Sequence, residues 1–207
     1  MKKVILSALL ASALCVPGVK AQTIHFGPKA GGNLSWVSKL KYPNDNNTGI
    51  NNARIFFHAG ACGEYMFNDT WGVGVEALYT GIGNKKDDMN KLKLDYLTVP
   101  VLAKFHLPSV EGLSFHLGPQ VGFLMSAKKS IESLNKKDVD AKKAFNDIDF
   151  AIVGGAEYAF DFGLIVGARY NFGMIDIDKD KLKSDDKYTN QFIQVYVGYN
   201  LAKVLAK

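Results

Sequence analysis

Residues 71–80 read WGVGVEALYT, and their order decides the fold. Trp71, Val73, Val75, Ala77 and Tyr79 fall on one parity, set against Gly72, Gly74, Glu76 and Thr80 on the other. A period of two belongs to a β-strand whose faces meet different surroundings. The face opposite the aromatics is poor in charge and rich in glycine, which does not suit a solvent-facing sheet.

Outward from this stretch the pattern recurs. On the N-terminal side lie Ile24 to Trp36 and Phe57 to Phe67. On the C-terminal side lie Tyr96 to Phe105, Leu113 to Phe123, Asp149 to Phe160, Leu164 to Asn171 and Ile193 to Leu201. With residues 71–80 this predicts eight strands. Their connections alternate. Short ones fall at Asn68-Asp69, Pro108 to Gly112 and Asp161-Phe162. Long polar ones are expected at Lys39 to Ala53, Ile82 to Lys91, Ala127 to Phe145 and Met174 to Thr189. Such alternation is the mark of an all-β, eight-stranded, antiparallel up-and-down transmembrane β-barrel with tight periplasmic turns and longer external loops. Closure is the physical reason, since backbone groups in lipid must pair internally and a closed sheet leaves no edge.

The 207 residues suffice for one domain, and a 47% hydrophobic fraction excludes general disorder. Residues 1–21, MKKVILSALLASALCVPGVKA, have the basic start, apolar run and Val19-Lys20-Ala21 ending of an export signal. The expected mature barrel domain is then 22–207. Losing Lys2, Lys3 and Lys20 lowers the formal charge from +5 to +2, which implies no nucleic-acid surface. Cys15 leaves with the signal, so Cys62 has no intramolecular disulfide partner.

In a soluble barrel the apolar face would point inward, in a membrane barrel outward. Trp36, Trp71, Tyr65, Tyr79, Tyr158, Tyr170 and Tyr199 sit near strand ends, as interfacial girdles require. The opposite face carries Lys29, Glu64, Glu76, Lys104, Glu157 and Arg169, three charges of each sign. Eight strands enclose a space that side chains just fill, and buried charges there must pair. These six residues are therefore expected to form a lumen charge network that plugs the barrel.

Candidate chemistry is sparse. His58, Cys62 and Glu64 share a strand face, but i and i+4 stand about 13 Å apart along a strand, too far for one metal. Ser114 and His116 share a face at hydrogen-bonding reach, the one pairing that suits nucleophilic catalysis. No P-loop, dinucleotide glycine pattern or HExxH is present, so no catalytic, cofactor or metal site is expected. The stretch AKKSIESLNKKDVDAKKAF, 127–145, holds six lysines against Glu132, Asp138 and Asp140, with Ile131, Leu134 and Val139 as the apolar edge of a possible short helix. Anionic lipopolysaccharide or an acidic protein would fit such a loop.

Four motifs resemble the PorT-like small outer-membrane β-barrel proteins typical of Bacteroidetes: Phe26-Gly27-Pro28-Lys29-Ala30-Gly31 with Asn33-Leu34-Ser35, Tyr96-Leu97-Thr98-Val99-Pro100, Leu117-Gly118-Pro119-Gln120-Val121-Gly122-Phe123, and Val195-Tyr196-Val197-Gly198-Tyr199. The resemblance spans residues 22–201. It implies a barrel in the cell outer membrane of a Gram-negative bacterium and carries over no catalytic residue. The expected role is structural or interactive, through external loops facing lipid, lipopolysaccharide or a protein partner. A narrow porin-like channel and a soluble periplasmic ligand-binding barrel are the alternatives.

Overall fold

A computed structural model describes residues 24–39, 53–87, 90–131, 136–177 and 188–202. The expected export segment, 1–21, lies outside them. The strands are β1 (Ile24–Lys39), β2 (Arg54–Met66), β3 (Trp71–Asp87), β4 (Asn90–His106), β5 (Leu113–Ile131), β6 (Lys136–Asp140), β7 (Ile148–Ala159), β8 (Leu164–Gly173) and β9 (Tyr188–Tyr199). All pair antiparallel, and the ring closes because β1 bonds both β2 and β9 while β4 bonds β5. Eight strands make the wall. β6 adds a short hairpin partner to the upper part of β5.

One end of the barrel is built from tight turns. Asn68 Oδ1 accepts hydrogen bonds from the backbone N–H groups of Thr70 (2.9 Å) and Trp71 (2.8 Å), so the β2–β3 corner folds on its own side chain. Gly112 and Gly163 take φ of 86° and 98° at the other two corners, a region that an L side chain enters only with strain. The opposite end carries the longer connections.

The alternation places apolar side chains outside. On β9, Val195 and Val197 are 62% and 53% exposed, whereas Gln194 and Tyr196 between and beside them are 1% and 2%. That orientation is the reverse of a soluble barrel and rules that alternative out. Aromatic rings cluster at two levels. At the turn end Trp71 meets Phe105 (5.0 Å), Tyr65 meets Phe67 (5.3 Å) and Tyr158 meets Phe160 (4.9 Å). Higher on the wall Phe57 meets Tyr79 (5.5 Å) and Trp36 meets Tyr170 (6.1 Å). From Trp71 to Tyr79 is roughly 20 Å along the axis, at ~3.3 Å rise per residue and ~40° tilt, which suits an apolar band about 25 Å tall. Trp36 departs from the expected exposed girdle, since it is itself buried.

Three further expectations change. The polar stretch Ile82 to Lys91 is not a long loop, because β3 runs to Asp87 and β4 starts at Asn90, joined by Ile82↔Leu94 and Asn84↔Leu92. Alternation continues there above the apolar band, and Ile82 and Leu94 keep it anchored by facing inward. Among its described residues, the stretch 127–145 does not carry the short helix edged by Ile131, Leu134 and Val139. Its described parts are the β5 extension, β6 and a single 3-10 turn at Lys142–Ala144, and Leu134 lies outside the described residues. Pairing Lys129↔Val139 places Val139 in a ladder rather than on a helix face. Lastly, the interior is not polar throughout. Val37, Ile82, Leu94, Tyr96, Leu124, Ala127, Ile177 and Phe192 form one buried apolar cluster in the loop-end half.

Candidate functional site: the barrel interior

The inward positions near the turn end bring Lys29, Glu64, Glu76, Lys104, Glu157 and Arg169 together, each from a different strand. All six are buried. Lys29 Nζ donates to Glu76 Oε1 at 2.5 Å and stands 3.8 Å from Glu157 Oε2. Arg169 Nη1 donates to the second Glu76 oxygen at 2.7 Å. Lys104 Nζ donates to Glu64 Oε2 at 3.0 Å and to Glu157 Oε1. Glu76 and Glu157 are thus each shared by two cations, and the signs alternate along the chain of contacts Arg169–Glu76–Lys29–Glu157–Lys104–Glu64. Burying ions costs several kcal/mol each unless partners are well placed, and these partners are.

Several members escape a reading of charges alone. His106 Nε2 lies 2.6 Å from Glu64 Oε1, with His25 Nδ1 3.6 Å from Glu64 Oε2. Tyr196 donates its hydroxyl to Glu157 Oε2 at 2.8 Å, while Lys29 Nζ sits 4.0 Å from its ring centroid. The ring thereby offers both a donor to the anion and a π face to the cation. Gly167 leaves room for it, since a Cβ there would stand 2.4 Å from Tyr196 Cζ. Parity alone was the available signal, because Tyr196 lies between the outward Val195 and Val197.

Above the charges comes a layer of amides. Gln194 Oε1 accepts from Arg169 Nε (2.6 Å) and Asn171 Nδ2 (3.1 Å), and Gln194 Nε2 donates to Asn33 Oδ1 (2.9 Å). His58 Nδ1 meets that same Asn33 oxygen at 2.6 Å. The apolar cluster follows. Between charged residues at the turn end remains a cavity of about 20 Å³, lined by His25, Lys29, Glu64, Lys104 and Glu157 among others. That volume holds about one water.

The other candidates stay apart. His58 binds Asn33, Cys62 Sγ donates to the Gly27 carbonyl at 3.4 Å, and Glu64 binds Lys104. No group of three His, Cys, Asp or Glu suited to a metal occurs among the described residues. Ser114 and His116 are both buried, and neither ring nitrogen of His116 has a hydrogen-bond partner, so the two are not joined as nucleophile and base.

The family model described as an outer membrane protein beta-barrel domain matches residues 20–179. No curated protein matches the chain. Among solved structures, Ail, the attachment invasion locus protein of Yersinia pestis, is similar with a TM-score of 0.51 and 18% identity, covering 84% of this chain and 97% of Ail. Neisserial surface protein A is similar with a TM-score of 0.50 and 17% identity, covering 84% of this chain and 96% of that one. At these identities the likeness concerns the fold, a closed antiparallel β-barrel.

Proposed function

The chain belongs to the outer membrane protein beta-barrel domain family, and from that premise we propose that it is a filled, non-conducting barrel of the outer membrane with a structural or interaction role. The observation that carries this reading is the stacking of three closed layers inside the wall: ion pairs, amides, then the apolar cluster. A water column would have to break the Lys29–Glu76–Arg169 and Lys104–Glu157 contacts and also cross Leu94, Tyr96 and Phe192.

What remains for function is the surface at the loop end. β3, β4 and β5 rise past the upper aromatic level, and β6 with the turn at Lys142–Ala144 extends that rim. This rim is the part of the molecule that can meet lipopolysaccharide or a protein partner. The six lumen residues are positioning and stability elements in this reading, not catalytic ones, because their ionic groups are committed to one another. The PorT-like assignment is the narrower family reading, carried by the four motifs, two of which supply Lys29, Asn33 and Tyr196 to the interior. Residues 1–21 serve as its export signal.

Conductance tests the proposal. Folded protein reconstituted into planar bilayers is expected to leave the conductance at that of the bare membrane. Reproducible stepwise openings would overturn the filled-lumen reading and favour a narrow porin.

A further inference from the structure

Among the described residues the buried carboxylates are Glu64, Glu76, Glu157, Asp95 and Asp149. The first four have a cation within ion-pair reach: Lys104 for Glu64 and Glu157, Lys29 and Arg169 for Glu76, and Lys93 for Asp95. Asp149, on β7, has none among the described residues. Its Oδ2 accepts from Asn190 Nδ2 at 2.8 Å, and its Oδ1 has no hydrogen-bond partner.

The surroundings supply nothing to balance the charge. From β4 comes Tyr96, 1% exposed, its hydroxyl also without a partner. Gly122 of β5 lets the two side chains meet, since a Cβ there would stand 3.3 Å from Tyr96 Cδ1 and 3.5 Å from Asp149 Cβ. β9 contributes the neutral Asn190. The inward positions of β1, β3 and β8 at this height, Val37, Ile82 and Gly173, carry no charge. Arg54, on the inward parity of β2, lies over the Phe56 ring, 5.1 Å from its centroid. On the rim side Asp147 and Asp176 add only further negative charge.

The register places Asp149 above the membrane. The hydrogen-bonded row through Trp71 climbs as it passes Phe115, Ala168 and Val195 to Phe57. The neighbouring pair His58↔Thr80 brings it back to β3 about ten residues higher. That is a climb of roughly 3 Å along the axis for each strand crossed. Asp149 shares its row with Gly122, Thr98 and Leu78, three strands on from β3. It therefore stands roughly 7 Å above the Tyr79 level, outside the apolar band.

A buried carboxylate with no cation and one bare oxygen is costly while ionised. A proton removes that cost and leaves the Asn190 contact in place. Burial accordingly pushes the Asp149 carboxyl up to about 6. We propose that Asp149 is a proton-binding site through which the loop-end half of the barrel tightens as the outside medium turns acidic. Neutral, the carboxyl lets Tyr96, Leu124 and Phe192 of the apolar cluster close beside it; ionised, it draws water in and loosens them. The inference rests on the outer-membrane orientation given above, which turns this end outward. The folded carboxyl holds its proton more tightly than an exposed one. Its stabilising contribution is thus full below the ordinary value of 3.8 and is lost as pH rises through about 6.

The test is hydrogen exchange on the full folded protein in detergent at pH 4 and pH 8, corrected for the intrinsic pH dependence of amide exchange. Local opening of residues 94–98, 120–127 and 148–153 is expected to be roughly 50-fold more favourable at pH 8. D149N holds the side chain neutral at every pH. It is expected to remove the pH dependence and, at pH 8, to suppress opening by a similar factor. A flat profile in the unaltered protein overturns the proposal, as does tighter packing at pH 8. So does a D149N barrel that keeps the pH dependence, opens more readily or fails to fold, because the variant only fixes the state proposed to be the tighter one. The conductance measurement is independent. Openings in bilayers with the pH effect intact sink only the filled-lumen reading, and silent bilayers with a flat profile sink only the proton site.

Discussion

Glu76 accepts from Lys29 and Arg169 with its two separate oxygens. Removing it strands two cations inside the wall, and breaking a buried pair by deleting one partner costs ~3–5 kcal/mol. E76L should accordingly lower the urea stability of the folded barrel by about that amount, whereas E76Q, which keeps an acceptor, should lose less. A loss under ~1 kcal/mol for E76L would mean that water, not protein, solvates these cations. Tyr196 offers a finer probe. Its hydroxyl donates to a carboxylate, so Y196F should cost about 1–3 kcal/mol by leaving Glu157 short of a donor. An unchanged midpoint would show that Lys29 and Lys104 satisfy Glu157 unaided. At this scale the sequence exposes charges well and their escorts badly. Glu76 is conspicuous because a lone acid sits among glycines in an aromatic-backed strand. Tyr196, Gln194 and Asn33 have chemistry that suits either face, so only their parity distinguishes them.

Among the elements, the paired extension of β3 and β4 is where the sequence reads least clearly. Asn84-Lys85-Lys86-Asp87 is polar and looks like loop, because above the bilayer a strand no longer needs an apolar outer face. Its inner face still needs a core, and Ile82 and Leu94 supply one, both almost without exposure. Leu124 and Ala127 of the neighbouring β5 and Ile177 beyond β8 close over them. L94A should leave a cavity costing about 2–5 kcal/mol. Because the cluster is confined to the loop-end half, the effect should be local. Hydrogen exchange should quicken in residues 82–96 and 123–131 while the Glu64–Lys104–Glu157 level stays protected. Uniform loss of protection throughout would show that the upper hairpins and lower barrel unfold as one unit. The lower barrel is legible for the opposite reason: with lipid on one side and a crowded interior on the other, Trp71 to Thr80 keep strict parity even where, as at the buried Leu78, the side chain alone would suit lipid.

Over the whole molecule, stability is governed by closure. The seam joins the first strand to the last, running from Lys29↔Gly198 to Lys39↔Tyr188, and below it the Leu201 N–H donates to the Phe26 carbonyl at 2.8 Å. These partners are far apart in sequence, so pairing them costs more chain entropy than pairing strands joined by a tight turn. Once closed, the wall has no edge from which a detergent can peel a strand, and the ion pairs inside tie most strands of the ring to one another. Opening must therefore break the seam and the interior together. The protein should accordingly be recovered with the outer membrane and should migrate as a compact species in dodecyl sulfate without heating, changing mobility only when boiled. Among the described residues after Asn200, Leu201 is the one that bonds back to β1. Recovery in the soluble periplasm with no change on boiling would mean that the apolar faces of Val195 and Val197 are covered by something other than lipid. Retention of the shift in E76L, at a lower boiling temperature, would assign resistance to the seam and leave the interior network to set how much heat the seam survives.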